Sequence, residues 1–233
     1  MGYFVTERAV RVVPGASKYE HRFGGPPLHR AVGPTKFPFT LHCLYLLHTG
    51  DPALPRILRK RRWLPLYYPL FNNACEFAYE VVDDNEIKVH LVSDRVQEDF
   101  PFEHFPEELP ERRVRLEPLS YDDQKTLVYA FTARDCLSEE AISSADRKFV
   151  ARSGYPFTQV GGIQYMMQGI PRQKCPNSSC EYADYSPAHE VFAVIWNRPV
   201  PDFLLWGEYM DWSQLIFQVC SKCSTIYVCN RCD

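Results

Sequence analysis

Six of the nine cysteines lie in two clusters near the end of the sequence and are spaced like metal ligands. They are Cys175 and Cys180 in "KCPNSSCEY", and Cys220, Cys223, Cys229 and Cys232 in "QVCSKCSTIYVCNRCD". Four thiolates that surround a tetrahedral ion at about 2.3 Å form a common structural zinc site. Because the sequence has no export signal, we expect reduced thiols, and paired C-x2-C spacings then indicate metal binding rather than disulfides.

The four cysteines of the last cluster are poorly placed to share one ion. The residues "STIYV" between Cys223 and Cys229 include β-branched and aromatic side chains, which favour a strand. A five-residue strand spans roughly 16 Å, so its two ends reach one ion only if it bends sharply. The sequence therefore predicts a zinc-ribbon-like clip that pairs Cys175 and Cys180 with Cys220 and Cys223, with a structural Zn²⁺ as cofactor.

Several roles stay open for the remaining cysteine pair. Cys229 and Cys232 replace members of the cluster, form a second metal or redox site, or simply pack in the core. His189 follows the first cysteine pair in sequence and is an alternative to one of the thiolates. The other three cysteines occur singly within apolar runs, where we expect buried and unreactive thiols.

A basic segment, "RILRKRRW" (56–63), and two aromatic segments are candidates for a binding surface. Aromatic side chains are enriched at interface centres, and basic side chains steer acidic partners. One hypothesis is a cleft with aromatic walls and a basic rim; the alternative is that the aromatic residues fill the core and the basic segment is a solvated loop. The aromatic residues are Trp63, Tyr67, Tyr68, Trp206, Tyr209 and Trp212, and the basic residues are Arg59, Lys60, Arg61 and Arg62.

The common catalytic motifs are absent from the sequence, which contains no G-x-S-x-G, P-loop, H-E-x-x-H or dinucleotide fingerprint. A four-thiolate zinc site also has no open position for a reactive water. The sequence therefore favours a non-catalytic role. The alternative is an enzyme with an unrecognised active site around Gly24-Gly25 and Gly161-Gly162, where the backbone can approach a ligand closely.

Short strands dominate the predicted secondary structure, because nineteen prolines prevent long helices over much of the chain. Several runs alternate with period two, which indicates one buried face. A helix is predicted at 138–154, and 120–135 is either a helix capped by Ser120 or a strand. The predicted strands are 40–47, 76–82, 86–92, 191–196, 214–219 and 225–229.

The sequence contains an internal similarity. "HRFGGPPLHR" (21–30) resembles "TQVGGIQYMM" (158–167), and a short strand and a segment rich in proline and aromatic residues follow each. "EFAYEV" (76–81) then aligns with "LIFQV" (215–219). Ordered matches at a nearly constant spacing indicate an ancient duplication.

These patterns predict an α+β, β-rich fold made of two similar halves. Residues 1–95 form a β-rich repeat without metal, and residues 151–233 form a β-rich repeat with the four-cysteine zinc site. Residues 96–150 connect them and include a helix; Val96 to Pro118, rich in Glu, Pro and Arg, is expected to be exposed.

Composition excludes several classes of protein. Apolar residues make up 45% of the sequence, as in a chain with a true core, and the net charge of −3 argues against nucleic-acid binding. The sequence has no apolar run long enough for a membrane span and no apolar leader, so we expect a cytoplasmic protein. We expect a monomer or weak dimer that binds another protein.

The segments "FTQVGGIQYMMQGIPRQKCPNSSC" and "LLWGEYMDWSQLIFQVCSKC" resemble the YwqG-like family, also called DUF1963, whose eukaryotic relatives include programmed cell death protein 2. The similar features are Gly161-Gly162, the knuckle from Cys175 to Cys180, and the turn at Trp206-Gly207. The resemblance covers roughly residues 157–223. The first half matches only through "HRFGGPPL" and its strands, and it lacks knuckle cysteines, so a first metal site is not expected.

This resemblance implies a duplicated β-rich unit with a binding role. The eukaryotic relatives escort a ribosomal protein, and bacterial members often occur beside toxin genes, as immunity proteins would. The sequence therefore leads to the hypothesis of a zinc-stabilised, non-catalytic protein-binding module, either chaperone-like or immunity-factor-like.

Overall fold

The computed structural model describes residues 3–33, 40–70, 76–93, 108–136, 148, 156–208 and 213–231. The strands are β1 (Ala9–Pro14), β2 (Arg22–Phe23), β3 (Arg30–Val32), β4 (His42–His48), β5 (Trp63–Tyr68), β6 (Glu76–Val81), β7 (Glu86–Val92), β8 (Arg112–Pro118), β9 (Gln159–Gly161), β10 (His189–Trp196), β11 (Gln214–Cys220) and β12 (Ile226–Arg231). The described residues also include one α-helix, α1 (Tyr121–Cys136), and a 3-10 turn at Arg56–Leu58.

The twelve strands form one mixed sheet in the order β3-β7-β6-β12-β11-β10-β9-β1-β8-β2-β4-β5. β3 and β7 pair in parallel, whereas the other neighbours are antiparallel. The prediction of a β-rich chain is confirmed. Strands from residues before 95 and after 151 contribute to the same sheet, and β6 lies directly beside β12.

β11 is buried on both faces, whereas its alternating pattern predicted one buried face. Leu215, Phe217 and Val219 point into the main core, and Ile216 joins a second apolar cluster on the opposite face. The strand therefore needs a cover on each side.

The polar residues of β11 are bonded to the segment that covers its second face. The side-chain amide of Gln214 donates a hydrogen bond to the Tyr165 carbonyl at 3.2 Å, and that of Gln218 donates to the Pro171 carbonyl at 3.0 Å. Because buried amides are costly without partners, these bonds fix residues 165–171 across the strand.

The predicted connector from Val96 to Pro118 ends in a strand, since β8 lies in the sheet between β1 and β2, although four of its seven residues are exposed as predicted. Val114 is buried. The sequence of this strand, "RRVRLEP", contains no clear strand signal, because charged residues outnumber apolar ones. Arg11 of β1 forms an ion pair with Glu117 at 2.8 Å, so some of these charges are paired across strands.

The segment of β5 was noted only as rich in proline and aromatic residues and was not among the predicted strands, but it is the last strand of the sheet. Its outer backbone groups are occupied by one side chain. The Tyr79 hydroxyl accepts a hydrogen bond from the Tyr67 N–H at 3.1 Å and donates one to the Pro65 carbonyl at 2.7 Å. Proline is tolerated on such an edge strand because it lacks only the backbone N–H, which has no partner strand to bond on that side.

α1 resolves the ambiguity at 120–135 in favour of a helix. Ser120 is its cap: the Asp123 N–H donates to the Ser120 hydroxyl at 3.0 Å, and the Ser120 N–H donates to the Asp123 carboxylate at 3.2 Å. This reciprocal pair is a capping box with Asp in the usual place of Glu. Apart from Lys148, the predicted helix at 138–154 lies outside the described residues.

The two glycine pairs lie in similar surroundings on either side of the central β1/β8 ladder. Gly24-Gly25 follow β2, which pairs with β8; Gly161 ends β9, which pairs with β1, and Gly162 follows it. All four glycines have φ between +67° and +74°. A Cβ at Gly24 would overlap the Pro110 carbonyl, and one at Gly161 would overlap the Arg8 carbonyl.

Other contacts on the two sides correspond as well. The Val12 N–H donates to the Thr158 carbonyl at 2.9 Å, and the Val114 N–H donates to the His21 carbonyl at 3.0 Å. β4 carries a register shift against β5, and β10 carries one against β11. By strand order β5 therefore corresponds to β11, whereas the sequence alignment had matched β6 to β11.

We expect Gly161→Ala to lower the free energy of unfolding by roughly 3 kcal/mol, because it adds a strained φ to a backbone overlap. Gly169→Ala is the matched control, since Gly169 has φ +74° but open space around its Cα. It is expected to cost only about 1 kcal/mol. Urea unfolding of both variants measures the difference, and equal losses would show that the overlap with Arg8 carries no energy.

Candidate metal centre

The structure brings Cys175, Cys180, Cys220 and Cys223 together, as the sequence analysis had grouped them. Their four sulfur atoms all lie within 4.8 Å of one another. The Sγ–Sγ distance is 3.5 Å between Cys175 and Cys223 and 3.8 Å between Cys180 and Cys220. Sulfurs at the corners of a tetrahedron with 2.3 Å metal–sulfur bonds are about 3.8 Å apart, so the cluster fits one metal ion.

Backbone hydrogen bonds hold the first knuckle, from Cys175 to Cys180, in its folded form without a metal ion. The Cys175 N–H donates to the Tyr182 carbonyl at 3.2 Å, and the Cys180 N–H donates to the Asn177 carbonyl at 2.9 Å. The Tyr182 N–H in turn points at the Cys180 sulfur at 3.4 Å. An N–H directed at sulfur stabilises a thiolate.

The second knuckle is the tight turn that joins β11 to β12. The Cys220 N–H donates to the Thr225 carbonyl at 2.9 Å, and the Ser224 N–H donates to the Cys220 carbonyl at 3.0 Å. Ser224 has φ +66°, a conformation uncommon outside glycine. The turn places Cys223 opposite Cys220, with the Thr225 hydroxyl 3.0 Å from the Cys223 sulfur.

The four thiols of the cluster interact strongly with one another in the absence of a metal ion. The Cys175 thiol donates a hydrogen bond to Cys220 and lowers the pKa of Cys220 to about 4. The same bond, together with burial, raises the pKa of Cys175, and burial raises the pKa of Cys180. A bound divalent metal would offset the mutual repulsion of the four thiolates.

The remaining cysteines lie elsewhere. Cys229 is in β12 and packs in the apolar cluster that contains Ile216; burial raises its pKa to about 11, so it is a packing residue. Cys43 is buried in the main core, while Cys75 and Cys232 lie outside the described residues. His189 pairs with Cys220 across β10 and β11, but it is not a member of the four-sulfur cluster.

The predicted aromatic binding surface needs correction. Tyr67, Tyr68 and Trp206 are buried, so they cannot form an exposed wall, and Tyr209 and Trp212 lie outside the described residues. The Tyr67 hydroxyl accepts from the backbone N–H groups of Leu28 at 3.0 Å and of His29 at 3.3 Å, and it lies 2.8 Å from Nδ1 of the His29 ring. The alternative, core filling, explains these three residues.

The basic segment behaves differently. Lys60, Arg61 and Arg62 are exposed, and Arg59 and Trp63 are partly exposed. Their charges therefore face solvent beside Trp63. Among the predicted aromatic residues in the described part of the chain, Trp63 is the one that is not buried. Sequence spacing alone gives no signal that this segment lies close to the second knuckle.

His21 and Asp51 form the best candidate for an acid–base pair, but both ring nitrogens are occupied. The His48 N–H donates to His21 Nδ1 at 3.0 Å, so Nε2 carries the proton and donates to Asp51 at 2.9 Å. Burial lowers the pKa of His21, and this effect exceeds the opposite effect of Asp51. The contact is therefore a hydrogen bond from a neutral ring rather than an ion pair, and neither nitrogen is free to move a proton.

Protein groups also fill the space around the glycine pairs. The Gly25 N–H donates to the Leu109 carbonyl and the Gly162 N–H donates to the Val5 carbonyl, each at 2.8 Å. The Gly161 carbonyl accepts from Gln159 at 3.0 Å. The close backbone approach that glycine permits is used by the chain itself at these positions.

No family model, curated protein or solved structure matches this sequence. The resemblance to the YwqG-like family therefore stays a prediction from short motifs. Within the described residues, no helix combines the length and the apolar character needed to cross a lipid bilayer.

We expect Cys220→Ser to lower the stability of the metal-loaded protein by roughly 3 kcal/mol more than Cys229→Ser, because metal-binding energy is part of the folding energy. The two cysteines are similarly buried in adjacent strands, so Cys229→Ser is the matched control; Cys232→Ser is expected to be milder than Cys220→Ser too. Thermal unfolding with and without a chelator measures this. A chelator that leaves the wild type unchanged would contradict a structural metal.

Stability is also expected to fall below pH 6.5. Burial lowers the pKa of His21, His29 and His90 from 6.5, so below that pH the unfolded chain binds protons that the folded chain does not. Stability present above pH 6.5 is then lost as the pH falls toward the folded-state values, by at most about 1.4 kcal/mol per pH unit for each histidine. Urea unfolding between pH 8 and 5 should show a smaller slope for His21→Gln; an unchanged slope would mean that His21 does not contribute.

Proposed function

We propose that this protein is a non-catalytic protein-binding module stabilised by one structural zinc ion. The observation that carries the proposal is the closed set of four thiols, Cys175, Cys180, Cys220 and Cys223. Four cysteine ligands at these separations complete the coordination of zinc and leave no position for a substrate or a reactive water. When bound, the ion supplies stability to the fold and no chemistry of its own.

Zinc is the metal that the donors favour. Thiolate sulfur is a soft ligand, and tetrahedral four-sulfur sites are typical of zinc or iron–sulfur centres. The tight hydrogen-bonded knuckles and the compact cluster support a single ion rather than a multi-iron centre. We place the protein in the reducing cytoplasm, where free thiols such as these persist.

We further propose that the fold arose by internal duplication, with β1, β2, β4 and β5 corresponding to β8, β9, β10 and β11. Four observations support it: the equivalent glycine pairs, the Val12 and Val114 bonds, the register shifts in β4 and β10, and the symmetric strand order about β1/β8. Within the described residues the four-cysteine knuckles belong to the second unit, so we propose the zinc clip as a specialisation of that unit.

The binding role follows from the closed four-thiol set, and two further observations support it. The ring of His21 is occupied on both sides, and the glycine pairs are filled by backbone. Among binding roles, an escort of a partner protein and a toxin-neutralising immunity role are both implied by the YwqG-like motifs. We propose a monomer or weak dimer for either role.

The proposal is tested by metal analysis and partner capture on one sample. We expect about one zinc per chain by mass spectrometry of the purified protein, and the same partner protein recovered repeatedly from native extracts. Cys220→Ser should lose the metal, and Cys229→Ser should keep it. Metal-free wild-type protein of unchanged stability, or a measurable turnover that follows metal content, would refute a structural role.

A further inference from the structure

A groove lies between the basic segment, the end of β6 and the second knuckle. Apolar side chains form its floor, among them the partly exposed Ile57, Trp63 and Val81, with buried Ile226 beneath. The groove encloses about 320 Å³, which is near the lower limit of ordinary ligand sites, roughly 300 Å³. It therefore has room for one or two side chains of a partner rather than for a whole helix.

Three cations line the rim of this groove: Lys60, Arg61 and Lys222. Lys60 donates a hydrogen bond to the neutral hydroxyl of Ser224, and no acidic side chain of the described residues pairs with Lys60 or Arg61. Lys222 forms an ion pair with Glu181 at 3.3 Å, but both side chains are exposed, so that pair is weak and exchangeable.

The charge of the rim contrasts with that of the whole molecule. The chain has a net charge of −3, yet the only acidic residue lining the described groove is Glu80. Glu80 already faces His90 at 3.5 Å. The groove thus combines an apolar floor with a positive rim, and charge complementarity requires an acidic occupant with an apolar side chain.

We infer that this groove binds a short segment of a partner protein in which Asp or Glu flanks an aromatic or branched aliphatic side chain. The apolar side chain fills the floor near Trp63, and the flanking carboxylates face Lys60 and Arg61. The inference rests on the proposed binding role and adds the site and the chemistry of the partner.

The metal centre forms one wall of the same site. Cys223 and Ser224 line the groove, and the turn that contains them is the second knuckle. The hydrogen bond from Lys60 to Ser224 joins the two walls. A bound metal would therefore keep the cationic rim at a fixed width, and chelation should weaken binding.

The test is a selection of random heptapeptides on the zinc-loaded full chain, followed by fluorescence polarisation with an enriched peptide. We expect enriched peptides that place Asp or Glu around Phe, Trp, Leu or Ile. Lys60→Glu/Arg61→Glu should reduce affinity by about tenfold or more, and rising salt should weaken wild-type binding. Lys125→Glu/Arg172→Glu is the matched control, because both residues are exposed and neither lines the groove; it should change affinity less than about twofold.

Three results would overturn the inference: no enriched peptide, enriched peptides that are basic, or equal affinity for wild type and the Lys60/Arg61 variant. A single-stranded RNA oligonucleotide that displaces the peptide more strongly than unlabelled peptide would also overturn it. Zinc content is measured on every variant. If the charge-reversed protein keeps its zinc and still captures the wild-type partner, the groove assignment fails while the zinc-stabilised binding module stands.

Discussion

The backbone ladder between β1 and β8 is the interaction on which the rest of the sheet depends. It joins residues that are far apart in sequence, with Val12 opposite Leu116. It also places β9 beside β1 and β2 beside β8. Each part of the chain therefore contributes a strand that pairs with a strand of the other part. Long-range pairing of this kind is entropically costly to close, and it succeeds only if the crossing segments approach very closely.

Glycine makes that approach possible. At Gly24 and Gly161 a neighbouring carbonyl occupies the space where a Cβ would stand, and the backbone has positive φ. Any other residue would add strain and push the strands apart. The glycine pairs are therefore requirements of the sheet, although in isolation the same motif is compatible with a ligand site.

The metal centre depends on this sheet through β11. The ladder with β10 holds Cys220, and the buried amides of Gln214 and Gln218 fix the segment that leads into the first knuckle. The two knuckles, separated by some forty residues of chain, are thus brought close by backbone contacts before metal binds. A zinc ion would then find partly organised ligands, which reduces the entropy lost on binding.

The sequence predicted the β-rich character, six of the strands and the grouping of four cysteines, because alternation and closely spaced cysteine pairs are local signals. β8 was missed because four of its seven residues are charged and its pairing partners are distant. β5 was missed because Pro65 masks an edge strand whose outer groups bond to Tyr79. Burial of Tyr67 was one of the two predicted alternatives, whereas the proximity of Lys60 to Ser224 could not be predicted, since it depends on the order of strands in the sheet rather than on neighbouring residues.

That strand order also explains why the groove lies beside the four-cysteine cluster. The β11–β12 turn must be short to place Cys223 opposite Cys220, so Lys222 and Ser224 project from a turn with little freedom. On the other side, the chain between β4 and β5 carries the basic segment back toward this turn, where Lys60 meets Ser224. Because both ends of the rim are held in place, less conformational entropy is lost when a partner binds than if two free loops formed the rim. The short turn that brings the four cysteines together therefore also organises a cationic surface in advance of any partner.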